Sequence, residues 1–251
     1  MKPIVPTTAH APRPTPQAFP LQERRVDPEW LDELPPDDPQ AIGSRRDLRR
    51  LNWMMGHAGI LARLLAESPT APRKLVELGA GDGTFLLRVA RRLAPRWREV
   101  RVTLVDRQTL LSAGTRDGFR RLGWTVEAVE ADVFDWLREA RPGAAEVIVA
   151  NLFLHHFTAG KLANLLALAA GHARLLAACE PRRGGLALAA ARLLGLIGCN
   201  AVTRHDAVVS VRAGFAGREL SALWPGGDGW QTTERRAGLF SHAFSATRDG
   251  A

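Results

Sequence analysis

From about residue 44 onward the apolar positions follow two alternating rhythms. Leu48, Leu51, Met55, Leu61, Leu64 and Leu65 recur at roughly helical spacing behind Ser44 and Asp47, which stand as the cap and third residue of a capping box; Pro69 closes the segment. Residues 74–78 then form a short apolar run into Gly79, Gly81 and Gly83, after which Phe85, Leu86, Val89, Ala90 and Leu93 restore helical spacing as far as Pro95. The pattern of strand, glycine turn and helix then repeats. Further β-rich runs cover residues 100–105, 126–129, 146–150 and 175–179, and they end at Asp106, near Asp132, at Asn151 and at Glu180; the longest helical stretch among them is 159–176. Strands alternating with helices predict an α/β fold with a mostly parallel sheet covered on both faces, in which ligands bind beyond the carboxyl ends of the strands.

The alternation is interrupted over residues 184–225. There an apolar helix at 186–197, a polar elbow at 200–206 and a further helix at 216–224 are predicted, before closing strands at 230–236 and 239–247. An insertion beside the ligand edge of a sheet commonly carries specificity. Composition sets the other boundary. Ten of the 16 prolines fall within residues 1–40, where 4 basic side chains face 7 acidic ones, against 30 and 19 in the remainder. The expected organisation is a disordered proline-rich segment at 1–40, a helical lid at 41–70 and the main domain at 71–251 with its insertion. Trp30-Leu31 and Leu34 could anchor the first segment to a partner, such as a biosynthetic enzyme, or to the domain itself.

Net charge is +8, yet only 3 of the 34 basic residues are lysines, and Arg88, Arg91, Arg92, Arg96 and Arg98 read as one solvated helix face. Nucleic acid is therefore not the expected partner. Cys179 and Cys199 cannot make a disulfide scaffold and belong to no zinc-spaced set, so neither a disulfide nor a metal is expected. The longest apolar stretch, 186–198, contains Arg192 and is shorter than the ~20 residues needed to span a bilayer. The prolines of the first 20 residues break any secretory h-region, and a cytoplasmic location is expected.

A dinucleotide fingerprint would place a third glycine where Thr84 stands. Instead Glu77 precedes the glycines, and an acidic group there suits a ligand carrying ammonium and sulfonium charge better than one carrying two phosphates. Glu77-Leu-Gly-Ala-Gly-Asp-Gly-Thr84 resembles the first motif of class I S-adenosylmethionine-dependent methyltransferases of the small-molecule type. Asn151-Leu-Phe-Leu-His-His-Phe157 is similar to the fourth-strand signature of those members. The resemblance implies a Rossmann-like, seven-stranded, mostly parallel sheet with helices on both faces. It also implies S-adenosylmethionine as cofactor, S-adenosylhomocysteine as product, and a cofactor site at Glu77, Gly79, Ala80, Gly81, Gly83, Asp106, Arg107, Asp132, Val133 and Asn151. Asp106 would hold the ribose hydroxyls and Asp132 would lie at the adenine edge; taken singly, each could equally be a helix cap.

The resemblance leaves the methyl acceptor open. Residues 151–154 depart from the Asn/Asp-Pro-Pro-aromatic sequence of amide and base N-methyltransferases, which argues against those acceptors. Trp53, Met54, Met55, Phe153 and His155 are candidate walls of a hydrophobic pocket for a phenolic, quinone-like or polyketide-derived small molecule methylated on oxygen, although the same segments could simply be core. The chain has no tyrosine. The candidate catalytic groups are His205 with Asp206, since imidazole titrates near neutral pH, and His156. The competing reading is an RNA methyltransferase using the basic surface; a binding module with a degenerate cofactor site is a third.

Overall fold

A computed structural model describes residues 21–68, 70–227 and 229–248. Seven strands make one sheet: β1 Lys74–Leu78, β2 Arg101–Asp106, β3 Thr125–Glu130, β4 Val147–Asn151, β5 Leu175–Pro181, β6 Trp230–Ala237 and β7 Ser241–Arg248. Their spatial order is β3-β2-β1-β4-β5-β7-β6; the first five are parallel, and β7 runs antiparallel to both β5 and β6. The sheet is thus mostly parallel, as the alternation of runs predicts.

Ten helices accompany it among the described residues: α1 Trp30–Glu33, α2 Pro39–Met54, α3 His57–Ala66, α4 Thr84–Leu93, α5 Ala113–Arg121, α6 Val133–Glu139, α7 Ala159–His172, α8 Gly185–Arg192, α9 Ala201–Ala213 and α10 Glu219–Leu223. Strand residues alternate between two cores. Leu75, Val102, Val147 and Leu175 pack with α3, α4 and α5, whereas Val76, Ile148 and Leu176 pack with α6, α7 and α10. Burial on both faces is why these strands read as continuous apolar runs rather than as alternating patterns. No helix among the described residues is long and apolar enough to cross a membrane.

Three local expectations change. Asp38 caps α2, accepting from the backbone of Gln40 and Ala41, while Ser44 and Asp47 lie buried inside the helix and turn toward α9. There the Thr203 hydroxyl lies 3.0 Å from Ser44 Oγ and 3.2 Å from an Asp47 oxygen, and the Asn200 N–H donates to Asp47, so the supposed capping box is a polar seam between two helices. The helix ascribed to residues 44–68 is two helices, broken at Gly56 with φ 69°; Pro69 lies outside the described residues. The polar elbow of the insertion is the first turn of α9, capped by Asn200.

Residues 21–40, expected as a loose tether, pack against the domain; the first 20 lie outside the described residues. Arg24 donates to the carbonyls of Ala213, His155 and Phe157, with its guanidinium 4.4 Å from the centre of the Phe215 ring. Glu29 is buried. This segment forms a strap across the carboxyl edge of the sheet.

Candidate active site

Strand order reverses between β1 and β4, and at that point an α/β sheet opens a crevice beyond its strand ends. A cavity of about 460 Å³ lies there, lined by the turns after β1, β2, β3 and β4, by one face of α2 and by the strap.

The turn after β1 is set by two glycines with different needs. At Gly79, φ is 66° and a β-carbon would stand 2.1 Å from Cδ2 of Phe153, so only glycine lets that ring lie on the turn. At Gly81, φ is 53° and a β-carbon would meet nothing within 4 Å: this position is open toward the cavity. The Gly81 N–H donates to Asp106 (2.9 Å), whose other oxygen accepts from the Gln108 N–H (3.0 Å), so the end of β2 holds the turn of β1. Asp82 accepts from Thr84 and from the Arg49 guanidinium of α2 at 2.8 Å.

Glu77 lies beneath this turn, 2% exposed, and its Oε2 has no hydrogen-bond partner among the described residues. Burial, with Asp82 and Asp106 nearby, pushes its carboxyl well above the usual range. Asn52 Oδ1 on α2 is also buried, cavity-lining and unpartnered. Two unsatisfied acceptor oxygens set among carboxylates make a place for a ligand that brings cationic donors.

Asp132 caps α6, accepting from the Phe134 N–H at 2.8 Å, and it also lines the cavity beside Val133; capping and lining are compatible roles here. Asn151 Oδ1 meets His57 Nδ1 at 2.9 Å, and His57 Nε2 meets the Ser241 hydroxyl at 2.7 Å. Burial lowers His57 to about 4, leaving a neutral ring that donates to Asn151 and accepts from Ser241. Arg107, largely exposed, reaches Asp32 of α1 at 3.5 Å on the rim.

Leu152, directly after β4, has a left-handed φ of 52°, an uncommon conformation for a leucine, and it also lines the cavity. The 3-10 turn that follows, Leu154–His156, is organised by the buried Glu180. Glu180 accepts the N–H groups of Phe153 and Leu154 at 3.0 Å each, and His155 Nδ1 at 2.7 Å. Burial alone would raise the Glu180 carboxyl; these hydrogen bonds outweigh it and hold it below the ordinary value.

The strap adds Glu29, which meets Nε2 of both His155 and His156 at 3.3 Å and accepts from the Ser210 hydroxyl. Burial opposes charge on Glu29 too, but the two imidazoles hold its carboxyl far below the usual range. Burial likewise would lower His156; the hydrogen bond and charge of Glu29, with Asp32 beyond, raise it to about 9.

Comparison with solved structures sets this arrangement beside methyltransferases. The plantazolicin methyltransferase BamL, in complex with a triazolic desmethylPZN analog and SAH, superposes with a TM-score of 0.60 at 10% identity, covering 88% of this chain and 93% of that one. The mitomycin 7-O-methyltransferase MmcR gives 0.56 at 18% identity, over 87% of this chain and 60% of the other. An O-methyltransferase family protein from Burkholderia thailandensis gives 0.52 at 21%, over 84% and 60%. The fold is that of the class I methyltransferases. No protein-family model and no curated protein matches the sequence.

Within this methyltransferase fold, Glu77, Gly79, Ala80, Gly81, Asp106, Arg107, Asp132, Val133 and Asn151 all border one cavity, with Gly83 one turn behind as the cap of α4. Phe153, His155 and His156 border it as well. The remaining candidates lie elsewhere. Trp53 and Met54 are 71% and 57% exposed, and neither they nor Met55 line the cavity; α2 instead presents Arg45, Leu48, Arg49 and Asn52, spaced as one helical face.

His205 and Asp206 also lie outside the cavity lining. Asp206 accepts the N–H groups of Trp30 (2.9 Å) and Leu31 (3.0 Å), capping α1 from a distant helix, while the His205 ring stacks on Trp30 at 3.8 Å. Adjacency in sequence gave no hint of that target. The sequence reading also missed Glu29, which sits in a proline-rich stretch and 126 positions from His155.

Proposed function

We propose that this chain transfers a methyl group from S-adenosylmethionine to an oxygen of a small hydrophobic acceptor of phenolic, quinone-like or polyketide-derived type, releasing S-adenosylhomocysteine. The observation that carries the reading is the buried Glu77 carboxyl, whose Oε2 has no hydrogen-bond partner among the described residues, beside the open Gly81 turn, a setting that favours a cationic ligand over a phosphate. When bound, S-adenosylmethionine would supply an electrophilic methyl carbon: the lone pair of the acceptor oxygen would form the new bond, the carbon–sulfur pair would stay on sulfur, and the hydroxyl proton would pass to solvent.

The protein's part is to hold and align. Glu77 and Asn52 meet the cationic end, Asp106 the ribose, and Asp132 with Val133 the adenine edge. Asn151, fixed by neutral His57, stands where the cofactor half of the cavity meets the acceptor half. On the acceptor side, Phe153 and Phe157 supply apolar wall, and His155, His156 and Glu29 supply the polar groups. His156, which borders the cavity, is the proposed catalytic residue among them. Alignment of this kind is worth ~7–11 kcal/mol of barrier in well-oriented reactions.

The mitomycin neighbour supports oxygen as the acceptor atom. The RNA reading finds no footing in the cavity, whose lining carries 4 basic side chains (Arg45, Arg49, Arg107 and Lys161) against 6 carboxylates, a poor surface for a phosphate chain. Incubation with methyl-labelled S-adenosylmethionine and a panel of phenols, hydroquinones and amines tests the proposal. Label should appear in a phenol or hydroquinone and depend on Glu77; label transferred only to RNA, or to no acceptor while the cofactor is bound, overturns it.

A further inference from the structure

Glu29, His155 and His156, the polar groups on the acceptor side of the cavity, have a mutual geometry that methyl transfer does not by itself require. Their donor atoms all lie within 4.8 Å of one another, and all three side chains border the cavity. The two rings are fixed in the same sense. His155 Nδ1 faces the Glu180 carboxylate at 2.7 Å, and His156 Nδ1 faces the Phe153 carbonyl at 2.9 Å. Both partners can only accept, so each Nδ1 carries a proton and each ring turns Nε2 toward Glu29. A histidine that binds a metal through one nitrogen characteristically donates the other N–H to a carboxylate or a backbone carbonyl, and here each form occurs once.

The distances point the same way. Both Nε2 atoms stand 3.3 Å from a Glu29 oxygen, Oε1 for one ring and Oε2 for the other. Charge-assisted N–H···O bonds run at about 2.7–2.9 Å. By contrast, ligands bound to one ion at about 2.0–2.1 Å stand roughly 3.0–3.4 Å apart. The Ser210 hydroxyl, donating to Glu29 Oε1, orients the carboxylate from behind.

We propose that Glu29, His155 and His156 form a binding site for one first-row divalent cation of the zinc class, held by a carboxylate oxygen and two Nε2 atoms and keeping an open position toward the cavity. Two imidazoles and one carboxylate suit such ions, whereas magnesium prefers an all-oxygen shell. Three protein ligands with a free position are the pattern of a site that also binds a substrate atom. The free position faces the acceptor half of the cavity and takes a heteroatom of the acceptor, a step that rests on the methyltransferase reading; cation binding itself does not. Cys/His spacing could not expose this site, because two ligands are neighbours and the third lies 126 residues upstream.

The untagged full chain, stripped with chelator and dialysed, is titrated with Co²⁺ while its visible ligand-field absorption is followed, and then with Zn²⁺ in competition. One equivalent of Co²⁺ is expected to develop the band and Zn²⁺ to displace it. Glu29→Gln and His156→Gln should each weaken uptake by tenfold or more, and Glu180→Gln, through His155, by about 10–100-fold. His172→Gln, distant from the cluster, should leave uptake unchanged. Absence of a one-equivalent band in the parent chain overturns the site and leaves Glu29 as an ionic anchor of the strap; so does uptake that survives both ligand variants at parent affinity. If either variant fails to fold, stoichiometry and zinc competition on the parent chain decide. Calorimetry with S-adenosylmethionine on the chelated chain separates the two readings: cofactor binding without cobalt uptake refutes the cation site alone, and the reverse refutes the methyltransferase.

Discussion

Lowering the pH should weaken the fold through His57 before it does so through the carboxylates. The ring is fully buried at the start of α3 and is depressed by burial from 6.5 to about 4, so the native state resists a proton that the unfolded chain accepts. Its contribution is whole above 6.5 and is lost progressively as pH falls toward 4. Between pH 7.5 and 4.5 the linkage expression gives a loss of about 2.5 kcal/mol, a substantial share of the ~5–15 kcal/mol stability of an ordinary domain. Glu180, Glu219 and Glu234, all held below the ordinary 4.5, lose their contributions mainly below this window, whereas His156, raised to about 9, contributes more as pH falls toward 6.5 and offsets part of the loss equally in the parent chain and in a His57 variant. Urea unfolding at half-unit pH steps, on the parent chain and on His57→Gln, isolates the effect, because glutamine can still donate to Asn151 and accept from Ser241 but does not titrate. The two stability curves should converge by about 2.5 kcal/mol on acidification. Parallel curves would refute a neutral, buried His57.

The turn glycines should separate: Gly79→Ala, which drives a β-carbon into Phe153, is expected to cost about 1–3 kcal/mol in thermal or urea unfolding. Gly81→Ala, with open space around it, should cost about 1 kcal/mol of stability yet weaken cofactor binding more than Gly79→Ala does, as read by calorimetry. Because Glu77 is held above the usual carboxylate range, capture of an ammonium group should favour its ionised form; binding heats compared across buffers should show proton release that is absent in Glu77→Gln. His205→Ala removes the Trp30 stack and should lower stability by about 1 kcal/mol while sparing turnover; a folded variant without turnover would return His205 to the chemistry.

Much of the sheet was legible because parallel strands buried on both faces leave uninterrupted apolar runs, and because Asp106, Asp132, Asn151 and Glu180 punctuate their ends. The glycine turn was legible for a related reason, since close approach at Gly79 and positive φ at Gly81 admit few other residues. The strap was not. Its prolines and acidic residues read as a tether, yet Arg24 and Glu29 find partners 126 to 189 residues away. Nothing local marks a polar side chain whose partner is that remote. The same limit explains His205 and Asp206, which face α1 rather than a reacting atom, and Ser44 and Asp47, which pair with α9 rather than with their own helix end. Trp53 and Met54 show a different limit: hydrophobic character alone does not say which face of α2 turns inward.

Calorimetric titration of the full chain with S-adenosylmethionine and with S-adenosylhomocysteine, repeated on Asp106→Ala, bears most directly on what this cavity holds. Saturable one-to-one binding of both ligands by the parent chain, weakened at least tenfold in the variant, is the predicted result. Absence of heat with either ligand from a chain shown to be folded would contradict it.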